Sequence, residues 1–298
     1  MESTPGTTVD VVMNPSEYYI MGLVLTAEGI FGMLFNGALL VIFLTNDSLR
    51  RPQSLLGISL CIGDLGIALM CPFAAMASFK ESWLYGDQGC QLYAFAGMFF
   101  GTVSITSMVS LAIDKYYSAV GSPGGGKPYL IATSAIWINA VFWAVTPLAP
   151  FGWGRYGIEP PKTTCMLDFA DRDASYMAYL AAMMNVVYVV PMGVVLWCLI
   201  NLRKEDPAEN SMTKSVKNDA ARTCLGVLMS LVIYWGAYGF VAVWAAADDI
   251  DNVPLRLVAA APLLAKICPI GNVAFQVLTN QNLWGRTGEG PSASDKKK

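Results

Sequence analysis

Hydrophobic residues gather into seven long runs, near 19–44, 54–79, 90–118, 130–150, 176–202, 220–246 and 254–279. A helix needs about 20 apolar residues to cross the hydrocarbon of a bilayer, and each run is long enough. Polar connections containing Gly or Pro separate them, such as "TNDSLRRPQS", "GSPGGGKP" and "RKEDPAENSMTKSVKND". Runs of this length predict helices, because barrel strands would be about ten residues long with a period of two. No repeat relates the halves, which argues against an inverted-repeat transporter. The predicted fold class is an all-α membrane protein, a seven-transmembrane helix bundle.

Composition agrees with lipid as part of the solvent. The chain is 55% hydrophobic and 14% charged, where a soluble domain carries about a quarter charged residues. A net charge of −3, with no basic tract before the closing "KKK", gives no reason to expect a nucleic-acid partner. The chain contains no histidine, which removes histidine-based triads and the usual zinc sites. No basic region precedes the first run, so that run is read as its own insertion signal.

Orientation follows from the basic residues of the connections. With the N-terminus outside, the cytoplasmic side receives Arg50, Arg51, Lys115, Lys127, Arg203, Lys204, Lys214, Lys217, Arg222, Arg286 and Lys296 to Lys298. The outer side receives only Lys80, Arg155, Lys162, Arg172 and Arg256. The chain then divides into an outer segment 1–18, a seven-span body 19–284 and a short cytoplasmic tail 285–298. Cys90 opens the third span on the outer side and Cys165 lies in the outer loop 151–175. An oxidising compartment would let these two pair and tie the loop over the bundle. Cys61, Cys71, Cys198, Cys224 and Cys268 lie within spans and read as small apolar fillers.

Four ionisable groups lie within the spans: Glu28, Asp64, Asp114 and Lys266. A charge at the bilayer centre costs roughly 2.5–3.5 kcal/mol on insertion scales, so each needs a reason. Lys266, in "APLLAKICPIGN", is too deep to reach either interface comfortably. It is either paired for structure or facing a water-filled cavity, or it is an amine made nucleophilic by desolvation that condenses with an aldehyde. Asp64, Asn36 and Asn272 form a polar set that hydrogen-bonds across the first, second and seventh spans, directly or around a sodium ion or waters. Asp114 is expected to pair with a neighbouring cation. Glu28 receives no role beyond that of a buried protonated or hydrogen-bonded carboxyl.

In order along the chain stand Asn36, Asp64, Trp83 before Cys90, "DKY" at 114–116, Trp137, Pro191, Trp235 and Asn272. Lys266 precedes that last asparagine by six residues and follows Trp235 by 31. This ordered set resembles the animal opsins, within the rhodopsin-like receptor superfamily, from Asn36 to Asn280. The outer loop "GWGRYGIEPPKTTCMLDF", with "WLYGDQGCQ" ahead of the third span, is most similar to the retinochrome and RGR photoisomerase branch. The resemblance implies a rhodopsin-like receptor fold and retinal bound covalently to Lys266 as a Schiff base. It implies the all-trans isomer in the dark and 11-cis-retinal after light.

A Schiff base protonated in a low-dielectric pocket needs a counter-charge. The position used in vertebrate visual pigments is Tyr93 here, and the other position used in the family is Glu159. Glu159 is therefore expected as counterion with Tyr93 as a hydrogen-bonding neighbour; without the resemblance it would read as a solvated loop acid. Asp168 resembles the structural acid of the loop. Tyr93, Gly97 and Gly101 share one helix face, and the glycines are expected to leave room for the polyene. Trp235, Tyr238, Met184, Tyr188 and Phe169 are expected to complete the pocket.

The signalling landmarks of the resemblance depart together. Lys115 stands where the arginine of the third-span triplet belongs, losing its bidentate fork. Ala237 replaces the proline of the sixth span, so the usual kink has lost its cause. Val273 and Gln276 replace the proline and tyrosine of the seventh-span motif. The tail after Trp284 holds no cysteine for palmitoylation. These departures favour a light-driven photoisomerase, with a G-protein-coupled photoreceptor as the alternative. Implied partners are membrane lipid, retinoid-binding proteins or dehydrogenases, and a G protein weakly or not at all. The implied setting is an intracellular or plasma membrane of photoreceptive or supporting cells. A microbial-type pump would need an acid four residues before the lysine, where Pro262 stands.

Overall fold

The computed structural model describes residues 13–121, 126–204 and 210–279. The expected tail 285–298 and residues 1–12 of the expected outer segment lie outside them, as do Asn280, Trp284, Arg286 and Lys296 to Lys298. Among the described residues, seven helices are long and apolar enough to cross a membrane. They are α1 (Pro15–Thr45), α2 (Ser54–Phe79), α3 (Gly86–Ala119), α4 (Gly126–Val145), α5 (Ala174–Leu202), α6 (Ser211–Ala247) and α7 (Leu255–Thr279). α3 runs through the middle of the bundle and packs against α2, α4, α5 and α6.

Local chemistry explains where the helices depart from the apolar runs. α1 starts at Pro15, whose missing N–H is no loss in a first turn, and Glu17 accepts from the Asn14 N–H at 2.8 Å. α4 stops at Val145, short of the expected 150, because Pro147 disfavours helical geometry at Thr146. α6 begins at Ser211, nine residues ahead of the apolar run, where Asn210 accepts from the Thr213 N–H at 2.9 Å.

Two helices contain a widened π turn. In α5 it spans Asn185–Val189, just before Pro191, which has no N–H to offer the preceding turn. In α6 it spans Leu231–Trp235, and the Leu231 carbonyl accepts from the Tyr188 hydroxyl at 3.1 Å. This corrects one expectation. α6 lacks the proline at Ala237 but keeps a local irregularity of the kind that bends helices.

Between α4 and α5 lies an antiparallel hairpin of β1 (Tyr156–Ile158) and β2 (Cys165–Leu167), with Ile158 opposite Cys165. A disulfide joins Cys165 to Cys90 at the start of α3. Gln91 donates to the Tyr156 carbonyl at 3.1 Å, and the Tyr156 hydroxyl donates to the Ala144 carbonyl at 2.9 Å. Arg172 clamps the loop to the end of α6 through the Ala245 and Asp248 carbonyls. The hairpin is therefore fixed over one end of the bundle. The disulfide closes a loop of 75 residues, for which chain entropy alone gives about 4 kcal/mol. Cys90→Ala should lower the melting temperature and the yield of ligand-bound protein together. Normal yield from that variant would show that the hairpin holds its place without the bond.

A buried lysine between two carboxyls at the end of an apolar cavity

Lys266 projects from α7 into the bundle with 8% of its surface exposed. Its ammonium lies 5.5 Å from the centroid of the Tyr93 ring, a contact that contributes up to about 2 kcal/mol when desolvated. Among the described residues it makes no direct ion pair. Two carboxyls nonetheless act on it electrostatically, Glu159 from the hairpin and Glu28 from α1.

Glu159 follows β1 directly, and its N–H donates to the Thr164 carbonyl at 3.0 Å across the turn. Only 3% of it is exposed, so it is no solvated loop acid. The Tyr238 hydroxyl donates to Glu159 Oε2 at 3.4 Å, and Oε1 has no partner among the described residues. Burial pushes the Glu159 carboxyl up from its usual range, opposed by its hydrogen-bonding neighbours and by the Lys266 charge. Asp168 plays a local part, accepting from the Ala170 N–H at 3.1 Å.

Tyr238 connects this charged group to an apolar cavity between α3, α5, α6 and β2. Gly97, Gly101, Phe169, Met184, Tyr188, Trp235 and Tyr238 all line it, as expected. Lys266 and Tyr93 are not among its lining residues. The two glycines differ. A Cβ on Gly97 would sit at ordinary contact distance from Met70 Cε (3.6 Å) and Met166 Sδ (3.7 Å), so flexible methionine ends bound the space there. A Cβ on Gly101 would lie 2.9 Å from Trp235 Cη2. Gly101 therefore seats the Trp235 ring instead of leaving free room for a polyene. Met166, Met183 and Met184 also line the cavity, and unbranched thioethers reshape readily around a guest.

The polar set below Lys266 differs in detail from expectation. Asn272 donates to both Asp64 oxygens at 3.1 and 3.0 Å, and Ser104 donates to Asp64 at 2.7 Å. Ser104, from α3, was invisible to sequence reasoning because a serine inside a span carries no signal of its own. Asn36 stands apart from that group. It donates to the Gly32 and Pro269 carbonyls, each at 3.0 Å, and so ties α1 to α7.

At the far end of the bundle, Asp114 accepts a hydrogen bond from Tyr129, not from a neighbouring cation. Gln276 donates to Cys61 Sγ at 3.8 Å, and Val273 packs on the Leu39 and Phe43 cluster. A second cavity of about 300 Å³ opens here, lined in part by Asp114, Lys115, Phe275 and Gln276. The remaining cysteines are all buried, as fillers should be.

Comparison with known proteins accounts for this arrangement. Residues 35–272 match the family described as 7 transmembrane receptor (rhodopsin family). The chain is 28% identical over 283 residues to the human visual pigment-like receptor peropsin, covering 91% of this chain and 83% of that protein. It is 28% identical over 266 residues to the human RPE-retinal G protein-coupled receptor, covering 89% and 88%. Squid rhodopsin superposes with a TM-score of 0.78 at 20% identity, over 99% of this chain and 93% of that one. The chain belongs to the rhodopsin family of seven-transmembrane receptors, where it is similar to opsins of the peropsin and RPE-retinal receptor kind.

Proposed function

We propose that this protein is a retinal photoisomerase, taking all-trans-retinal to 11-cis-retinal in light through a Schiff base on Lys266. Opsin relatives imply a retinal chromophore. The observation that carries the reading is a lysine buried at mid-span beside Tyr93, together with an apolar cavity whose Tyr238 wall hydrogen-bonds the buried carboxyl of Glu159. The residues suit an aldehyde-ended polyene. The cavity, of about 70 Å³, is lined by Tyr188, Trp235 and Gly97, and it accepts a longer apolar chain as its methionine walls reshape. The amine supplies the covalent anchor.

Retinal, when bound, supplies the conjugated chain that absorbs light and turns about one of its double bonds. The protein's part is to hold the nitrogen, balance its charge and limit which bond turns. Lys266 fixes one end. Glu159, oriented by Tyr238, supplies a negative charge in a medium where water screens little. Trp235, wedged against Gly101, is a rigid wall. Tyr188, its hydroxyl spent on the Leu231 carbonyl, is another.

Weak signalling belongs to the same reading. A photon shifts a conformational equilibrium only through differential stabilisation of the two states. Lys115, Ala237, Val273 and Gln276 replace the groups that resemble an opsin's switches, and Gln276 is buried against α2. Light-dependent nucleotide exchange on several G proteins should therefore stay at the dark level. The second reading, a light-activated receptor with its N-terminus outside, draws on the cavity at the far end of the bundle. Rapid light-driven exchange in that assay would select it.

A further inference from the structure

Glu28 lies in α1 with 3% of its surface exposed, and neither carboxyl oxygen has a hydrogen-bond partner among the described residues. Burying such a group unpaired is costly. Its position is fixed by the register of α1 and α7, which run in the same direction. A Cβ on Gly32 would lie 3.6 Å from Pro269 Cβ, and Asn36 donates to the Pro269 carbonyl. One helical turn back from that contact brings α1 to Glu28 and α7 to Lys266. The Glu28 and Lys266 charges attract one another, and Cys71 of α2 lies within electrostatic reach of both. Glu159, held by Tyr238, comes to the same lysine from the hairpin.

We propose that Glu28 is the proton-transfer group for carbonyl chemistry at Lys266, moving the protons that condensation with an aldehyde and its reversal require. The proposal rests on reading Lys266 as an aldehyde-binding lysine. As a carboxylate, Glu28 takes a proton from the Lys266 ammonium and frees the nitrogen lone pair. That nitrogen forms a C–N bond to the carbonyl carbon while the C=O π pair moves to oxygen. The oxygen receives one proton from the nitrogen and one from Glu28, and leaves as water. The remaining nitrogen lone pair closes the C=N bond, which keeps one N–H and the positive charge, and Glu28 is again a carboxylate. Water drives the same steps backwards on release. No direct hydrogen bond joins Glu28 to Lys266, so the proton crosses through water. Glu28 is free for this because its oxygens are unclaimed, whereas Glu159 is engaged by Tyr238.

The test uses the full chain without retinal, so that it does not depend on the natural ligand. Cinnamaldehyde with cyanoborohydride is added, and the initial rate of labelling of the Lys266 peptide is read by mass spectrometry. Glu28→Gln should slow labelling about 100-fold, with the final extent and melting temperature close to the parent's. Glu28→Ala should be slowed similarly, and added formate should restore its rate without speeding Glu28→Gln. Parental rates in both variants overturn the proposal while leaving Lys266 as the aldehyde site. Failure to label Lys266 in the parent itself overturns the reading of Lys266, and the role of Glu28 with it.

Discussion

Lys266→Ala should abolish covalent attachment of retinal altogether. Borohydride reduction of the parent protein loaded with all-trans-retinal is expected to leave a retinyl group on the peptide containing Lys266. The alanine variant should carry none, because among the described residues no other lysine is buried in the bundle. The expectation has an energetic basis. A mid-span amine is expensive to keep in lipid, and Lys266 is kept there against the Tyr93 ring. Full labelling of Lys266→Ala would remove the foundation of the account.

Glu159→Gln has the second largest expected effect. Removing a nearby opposite charge should disfavour the protonated form of the Schiff base. At neutral pH the pigment should then shift towards a deprotonated form absorbing in the ultraviolet. Added halide should restore part of the visible band by supplying an anion. An unchanged spectrum and titration would pass the counter-charge to Glu28, the other carboxyl that acts on Lys266. The two variants thus separate the roles assigned to the two acids. One sets an equilibrium, and the other sets a rate.

The seven helices were legible because hydropathy over about 20 residues is a strong signal, and α2 matches its apolar run end to end. Helix ends were less legible where polar residues continue a helix beyond the lipid, as at Ser211, or where proline stops one early, as at Val145. Lys266 stood out in the sequence as a charge without an obvious partner. The pairing of Cys90 with Cys165 was open to topology and compartment together. Most of the pocket lining followed from resemblance and helical spacing, and seven of those residues do meet around one cavity.

What the sequence hid depends on register between distant segments. Nothing local says that Trp235 fills the space over Gly101, since that requires α3 and α6 to approach at one height. The π turn that ends at Trp235 arises without the proline that usually marks a bend. Tyr129 and Asp114 are separated by a connection, and their hydrogen bond displaced the expected ion pair. Glu28 was the most informative omission. Lys266 is 238 residues away in the chain, and the approach of Gly32 and Asn36 to Pro269 places the two at the same depth.

The most direct measurement of the central claim is the isomer composition of the bound retinal before and after illumination. Protein loaded in the dark with all-trans-retinal is illuminated and extracted, and the isomers are separated by chromatography. The account predicts that 11-cis-retinal rises at the expense of all-trans, with little of the other isomers, because the Trp235 and Tyr188 walls restrict which bond turns. Conversion in the opposite sense, from bound 11-cis-retinal to all-trans, accompanied by rapid nucleotide exchange on a G protein, would contradict it.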